Sequence, residues 1–133
     1  FGLGLNDILV GGTGRDIMSG GSGFDDFDFN SVRETGKTSA TRDRIVDFVH
    51  NQDDLDLRTI DAKSGVAGNQ AFHFIGTQGF HSVKGELHAV KINLAGTAND
   101  KTIVEGDING DGRADFQIEL TGLVKLTAGD FLL

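Results

Sequence analysis

Gly11-Gly12-Thr13-Gly14-Arg15-Asp16-Ile17-Met18-Ser19 runs directly into Gly20-Gly21-Ser22-Gly23-Phe24-Asp25-Asp26-Phe27-Asp28. Both stretches read G-G-x-G-x-D-x-U-x, where U is a large apolar residue. One period upstream, Gly2-Leu3-Gly4-Leu5-Asn6-Asp7-Ile8-Leu9-Val10 keeps the first Gly, the Asp and the apolar residue. It has Leu3 and Leu5 where two glycines belong. The nine-residue period is therefore carried by Asp7, Asp16 and Asp25, and by Leu9, Met18 and Phe27.

Composition alone bounds the reading without deciding it. The chain has 133 residues, the size of one domain, and a formal charge of −8. That charge argues against a nucleic-acid or anionic-membrane partner. Cys is absent, which excludes disulfide staples and thiolate chemistry. No apolar run approaches the roughly 18 residues of a membrane span, so stable membrane insertion is not expected. Phe1-Gly2-Leu3-Gly4 shows neither a basic n-region nor an apolar h-region. The acids are biased: 16 of 20 are Asp. Asp is a poor helix former but a good turn residue and calcium ligand. Together with 20 glycines, this reads as turns built around hard cations or as an acidic surface on a loop-rich β protein.

Residues 2–28 resemble the calcium-binding RTX nonapeptide repeat of parallel β-helices. Glycines let the chain turn tightly, and the turn exposes carbonyl oxygens to which the Asp adds a carboxylate. The x-U-x triplet is a very short strand with U inward. Each nonapeptide is half a coil, so successive turns lie on opposite sides of a parallel β-roll. The resemblance implies Ca²⁺ between turns stacked on one side. Its candidate ligands are Asn6, Asp7, Gly12, Gly14, Asp16, Gly21, Gly23 and Asp25. The Asp7 and Asp25 turns then share an ion. The Asp16 turn needs another partner, which an upstream repeat of a longer protein could supply.

Beyond residue 29 the period stops. Residues 30–42 read as a loop. Short strands are expected at Ile45–Phe48 and Leu55–Leu57, with a helical turn at Thr59–Lys63. Further strands are expected at Phe72–Ile75, Glu86–Leu94, Thr102–Glu105 and Phe116–Leu120. Polar or Gly-rich connections occupy 66–70, 76–85 and 95–101. The fold class is all-β: a short parallel β-roll continuing into a β-sandwich-like C-terminal cap.

The remainder is similar to the C-terminal domain of serralysin-type (peptidase M10) secreted metalloproteases. The stretches that carry this are Phe27–Val32, Asp43–Phe48, Asp54–Leu57, Phe72–Gly76, Gly85–Leu87, Glu105–Phe116 and Leu126–Leu133. The resemblance implies a module that follows a catalytic domain, folds on calcium and carries a signal for type I (ABC-transporter) secretion. Its expected partners are calcium, the secretion apparatus and an upstream catalytic domain; its expected location is extracellular. The division is then 1–29 for the repeats and 30–133 for the serralysin-like domain, as one structural unit. Asp130 followed by Phe131-Leu132-Leu133 resembles the terminal acidic-plus-hydrophobic export motif. The plainer reading is a last strand or helix end finishing in the core.

A second calcium candidate is Asp107-Ile108-Asn109-Gly110-Asp111-Gly112-Arg113-Ala114-Asp115, which reads D-x-N-x-D-G-x-x-D. Oxygen side chains at loop positions 1, 3 and 5 with Gly at 6 match the start of an EF-hand loop. Position 12 is Ile118 instead of Glu, so it is not one. Asp107, Asn109, Asp111, Asp115 and the Arg113 carbonyl are the candidate ligands. The alternative is an Asx-rich β-hairpin without an ion. Asp43 is either a ligand closing the last roll turn, with the Asp25 or Asp16 turn, or a surface Asp at a strand start. Asp53, Asp54 and Asp56 read as a solvated turn; Asp26 and Asp28 should point outward.

Catalysis is not expected of this chain. The serralysin zinc string H-E-x-x-H-x-x-G-x-x-H is absent, as are a G-x-S-x-G elbow and a phosphate loop. The leading reading is a non-catalytic, calcium-folded secretion module. The other is a calcium-dependent module that binds polysaccharide or a cell surface, against which the lack of Tyr and Trp counts.

Overall fold

The computed structural model describes residues 1–93 and 100–133. Among them the fold is two β-sheets with no α-helix. The first holds β1 (Ile8–Leu9), β3 (Asp26–Asp28), β5 (Asp54–Asp56) and β10 (Phe131–Leu132), in that order and all parallel. The second runs β2 (Ile17–Met18), β4 (Asp43–Ile45), β9 (Phe116–Thr121), β8 (Lys101–Asp107), β7 (Glu86–Ile92), β6 (His73–Phe74). Its β2-β4-β9 part is parallel and its β9-β8-β7 part antiparallel. Both sheets cross residue 29, so the roll passes into the cap without a break in hydrogen bonding.

The period of nine explains the first layers. Successive repeats alternate between sheets, so strands β1 and β3 pair while β2 lies opposite. The U residues face inward. Leu9, Phe27, Leu55 and Phe131 form one column in register; Met18, Ile45 and Leu120 form the facing one. Phe27, Leu55, Ile45 and Leu120 are fully buried. Each such side chain contributes about 1.5–3 kcal/mol through burial. Phe29, Leu57, Leu87, Val104, Phe116 and Ile118 extend the same core. Gly106 makes room for its partner Phe116, whose ring lies where a Cβ at 106 would sit.

Several boundaries differ from expectation. The strand expected at Ile45–Phe48 is Asp43–Ile45, because Asp43 to Ile45 is bonded on both sides, to β2 and β9. Asp47 instead spends its carboxylate on the Gly20–Gly21 turn. Thr59–Lys63 forms no helical turn; Asp61 there accepts the N–H groups of Lys63 and Gln70 and folds a loop. Leu94, the expected end of β7, and residues 95–99 lie outside the described residues. The chain end is the edge strand of the first sheet, preceded by a single 3-10 turn at Ala128–Asp130. Asp130 is fully buried, and Phe131 packs on Phe74 with ring centroids 4.7 Å apart.

Candidate metal centre

The repeat Asp residues are placed by one recurring linkage. The Asp7 N–H donates to Asp25 Oδ1 (3.0 Å), and the Asp7 carbonyl accepts from Asp26 N–H (2.8 Å). The next layer repeats it: Asp25 N–H donates to Asp53 Oδ1 (3.1 Å), and Asp54 N–H returns to the Asp25 carbonyl (2.8 Å). On the other side Asp16 N–H donates to Asp43 Oδ1 (2.8 Å), with Arg44 N–H on the Asp16 carbonyl (2.9 Å). Two stacks result, Asp7-Asp25-Asp53 and Asp16-Asp43. The Asp7 and Asp25 turns are stacked as the repeat geometry implies. The partner of the Asp16 turn is downstream, at Asp43.

Asp43 is fully buried, so its reading as a surface residue fails. It lies in the Asp position of a fourth turn whose glycines are missing; the Thr35 hydroxyl accepts its N–H (2.8 Å). Asp53 is 2% exposed, which overturns its reading as part of a solvated turn. Its carboxylate bridges two backbone N–H groups, of Asp25 and Val49. A sequence signal for this existed: Asp53-Asp54-Leu55-Asp56 copies Asp25-Asp26-Phe27-Asp28. Asp26, Asp28, Asp54 and Asp56 do point outward, half-buried.

The glycines fit these stacks. Gly12 and Gly14 take φ of +81° and +106°, and Gly21 and Gly23 take +90° and +134°, conformations that other residues rarely hold. The first Gly of each repeat has a different role. Its own Asp folds back over it, and a Cβ at Gly20 would collide with Asp25 Oδ2. In the degenerate copy, Asn6 Oδ1 accepts the N–H of Phe24 (3.0 Å) and so ties its turn to the next on that side.

Asp16 Oδ2, Asp25 Oδ2 and Asp43 Oδ2 are buried with no hydrogen-bond partner. A buried carboxylate oxygen left unpaired costs about 1–3 kcal/mol or more. Burial is the main reason that Asp43 is pushed up to about 6, aided by the charges of Asp16 and Glu34. Asp53 is raised for the same leading reason. Asp47 is the contrast: burial would raise it, but Ser19 Oγ and the N–H groups of Gly20 and Gly21 hold it low. The orphaned oxygens fit a hard divalent cation, and carboxylates with backbone carbonyls are calcium's donor set. Among the described residues no three His, Cys, Asp or Glu side chains converge on one point. Turn carbonyls would therefore complete any ligand shell.

The 107–115 loop joins β8 to β9 as a tight hairpin. Asp107 Oδ1 and Oδ2 accept from Gly110 and Gly112 N–H. Asp115 accepts from the N–H groups of Ile108 and Asn109 and from Asn109 Nδ2. Asn109 Oδ1 accepts from Asp111 N–H, and Asp111 Oδ1 from Arg113 N–H. Asp107, Asn109, Asp111 and Asp115 are thus gathered in one loop, each already accepting a backbone hydrogen bond.

Solved structures share this architecture. The chain is similar to the AlgE6R3 subunit of the Azotobacter vinelandii mannuronan C5-epimerase, at 25% identity and a TM-score of 0.60. The match covers 96% of this chain and 62% of that one, so this chain spans less than two thirds of its neighbour. The AlgE6R2 subunit of the same epimerase matches at 25% identity and a TM-score of 0.58, over 96% and 70%. No curated protein sequence matches the chain. The family model described as peptidase M10 serralysin C terminal matches residues 5–133. RTX-type modules of that family are generally calcium-binding and belong to secreted proteins. By that match across nearly its whole length, the chain belongs to the serralysin C-terminal family of peptidase M10.

Proposed function

We propose that this chain is a non-catalytic, calcium-folded C-terminal module of a bacterial secreted protein, and that it carries the signal for type I secretion. The observation that carries the calcium part is the set of buried, unpartnered oxygens on Asp16, Asp25 and Asp43. Where calcium is scarce, these carboxylates repel one another and their Oδ2 atoms lack partners. The repeats then cannot offset the entropy of ordering the chain. At extracellular, millimolar levels even sites of roughly 10⁻⁴ M affinity fill. Tenfold excess over Kd adds only about 1.4 kcal/mol per ion, so several sites act together. Bound calcium would supply the positive charge that the stacks lack.

Calorimetric titration of calcium into the chain tests this. Sites should be lost in Asp25→Ala and Asp43→Ala, while Asp28→Ala titrates like the parent. Titration without heat in the parent chain refutes the proposal. For the export part, the proposed signal Asp130–Leu133 contains the last strand, so folding and export must be measured together. Export through a type I apparatus should fail when β10 is removed. The second reading, a calcium-dependent polysaccharide-binding module, draws support from the likeness to subunits of a mannuronan C5-epimerase. Retardation of the calcium-loaded chain in a polymannuronate-containing gel would favour it.

A further inference from the structure

Asn109 is the only asparagine in this sequence that is followed by glycine. It is exposed, so water reaches its side chain. Gly110 adds no side chain to hinder attack by its nitrogen. Four hydrogen bonds surround this pair. Asp107 Oδ1 accepts the Gly110 N–H at 2.7 Å. The Asp111 N–H donates to Asn109 Oδ1 at 2.9 Å. Asn109 Nδ2 donates to Asp115 Oδ1 at 3.1 Å, and the Asn109 backbone N–H is held by Asp115 Oδ2 at 3.2 Å.

These contacts match the needs of an intramolecular acyl transfer. The nucleophile is the Gly110 nitrogen, with a carboxylate on its proton. The electrophile is Asn109 Cγ, with an N–H aimed at the oxygen on which negative charge develops. The leaving nitrogen is oriented by Asp115. We infer that Asn109-Gly110 is a self-modification site, at which the folded hairpin promotes conversion of Asn109 to Asp or isoaspartate. Gly110 N forms a bond to Cγ while Asp107 takes its proton. The Cγ–Nδ2 bond breaks, and ammonia leaves with that proton. Water then opens the cyclic imide at either carbonyl. No oxidant or reductant is required. The Asp product turns D-x-N-x-D-G-x-x-D into D-x-D-x-D-G-x-x-D and adds one negative charge to the candidate cation loop. The isoaspartate product lengthens the backbone there and breaks the turn.

The test is the rate of conversion at 109 in the full chain, in buffer with enough calcium to fold it and in the same buffer with denaturing urea. Peptide mapping by mass spectrometry, with separation of the Asp and isoaspartate forms, gives the rate. The native chain should react on the order of tenfold faster, a part of what a positioned base can supply. An equal or slower native rate overturns the inference. Asp107→Asn, checked for folding by circular dichroism, should bring the native rate down to the urea rate. A folded Asp107→Asn chain that reacts at the parent rate removes the base and overturns the mechanism. Where that variant does not fold, the native-to-urea comparison decides alone.

Discussion

Asp43 is buried, has one oxygen without a partner and sits beside Asp16. Its carboxyl is pushed from 3.8 to about 6, chiefly by burial. A folded pKa above the unfolded one favours the fold when the group is protonated. That stabilisation is fully present below the unfolded value and is lost as pH rises through about 6. The calcium-free chain should therefore gain stability on acidification from pH 7 to 5, and Asp43→Asn should remove much of that gain. The β content by circular dichroism in EGTA at the two pH values checks this; order that falls on acidification contradicts it. Asp25 and Asp28 separate turn from strand. Asp25 is fully buried and holds the Asp7 N–H, whereas Asp28 lies on the outer face. Asp25→Ala should weaken calcium-induced folding by about 1–3 kcal/mol and Asp28→Ala by much less. Equal shifts in the calcium midpoint would undo the ligand assignment. The repeat Asp residues were legible because glycines announce them. Asp43 and Asp53 do the same work without a glycine turn, supported by Thr35 and Val49, so only the D-x-U remnant marks them.

Strand β10 completes the first sheet, and Asp130, in the turn just before it, accepts from His50 Nδ1, Asn51 N–H and Thr127 N–H. The terminal residues are therefore core structure as well as a supposed signal. Phe131→Ala should cost about 3–5 kcal/mol in the calcium-bound state. A loss below about 1 kcal/mol in urea melts would mean that β10 is dispensable to the fold. The segment 76–81 is strapped onto β7 by His88. Its Nδ1 faces the Gln78 carbonyl (2.7 Å), its Nε2 faces Glu105 (2.9 Å), and Phe80 stacks on it at 3.9 Å. Both partners only accept, so both ring nitrogens must carry protons. Burial opposes the charge, but the bonds to Glu105 and Gln78 outweigh it and raise the imidazole. The strap's stabilisation is full below about 6.5 and declines as pH rises through the higher folded value. Glu105→Gln should cost about 2 kcal/mol and speed amide exchange in 76–81. Unchanged exchange would show that His88 does not hold the segment. No motif announced this row: His88, Glu105 and Gln117 become neighbours only through the β7-β8-β9 register.

At the scale of the molecule, the opposing tendencies are clear. The core columns favour the two-sheet fold, whereas the −8 charge and the orphaned carboxylate oxygens oppose it. The sequence disclosed the roll, the inward Leu9, Met18 and Phe27, and the continuation into a β cap, because a fixed period and local turns encode them. It did not disclose that β9 inserts between β4 and β8, since a long-range register has no local mark. The central claim is that calcium settles the balance, and it is most directly tested by circular dichroism with thermal melting in EGTA and across a calcium titration. The expected result is a weakly ordered chain that becomes a cooperatively melting β fold as calcium approaches millimolar levels. An equally stable fold in EGTA would contradict it and leave the calcium turns as local features of a self-sufficient sandwich.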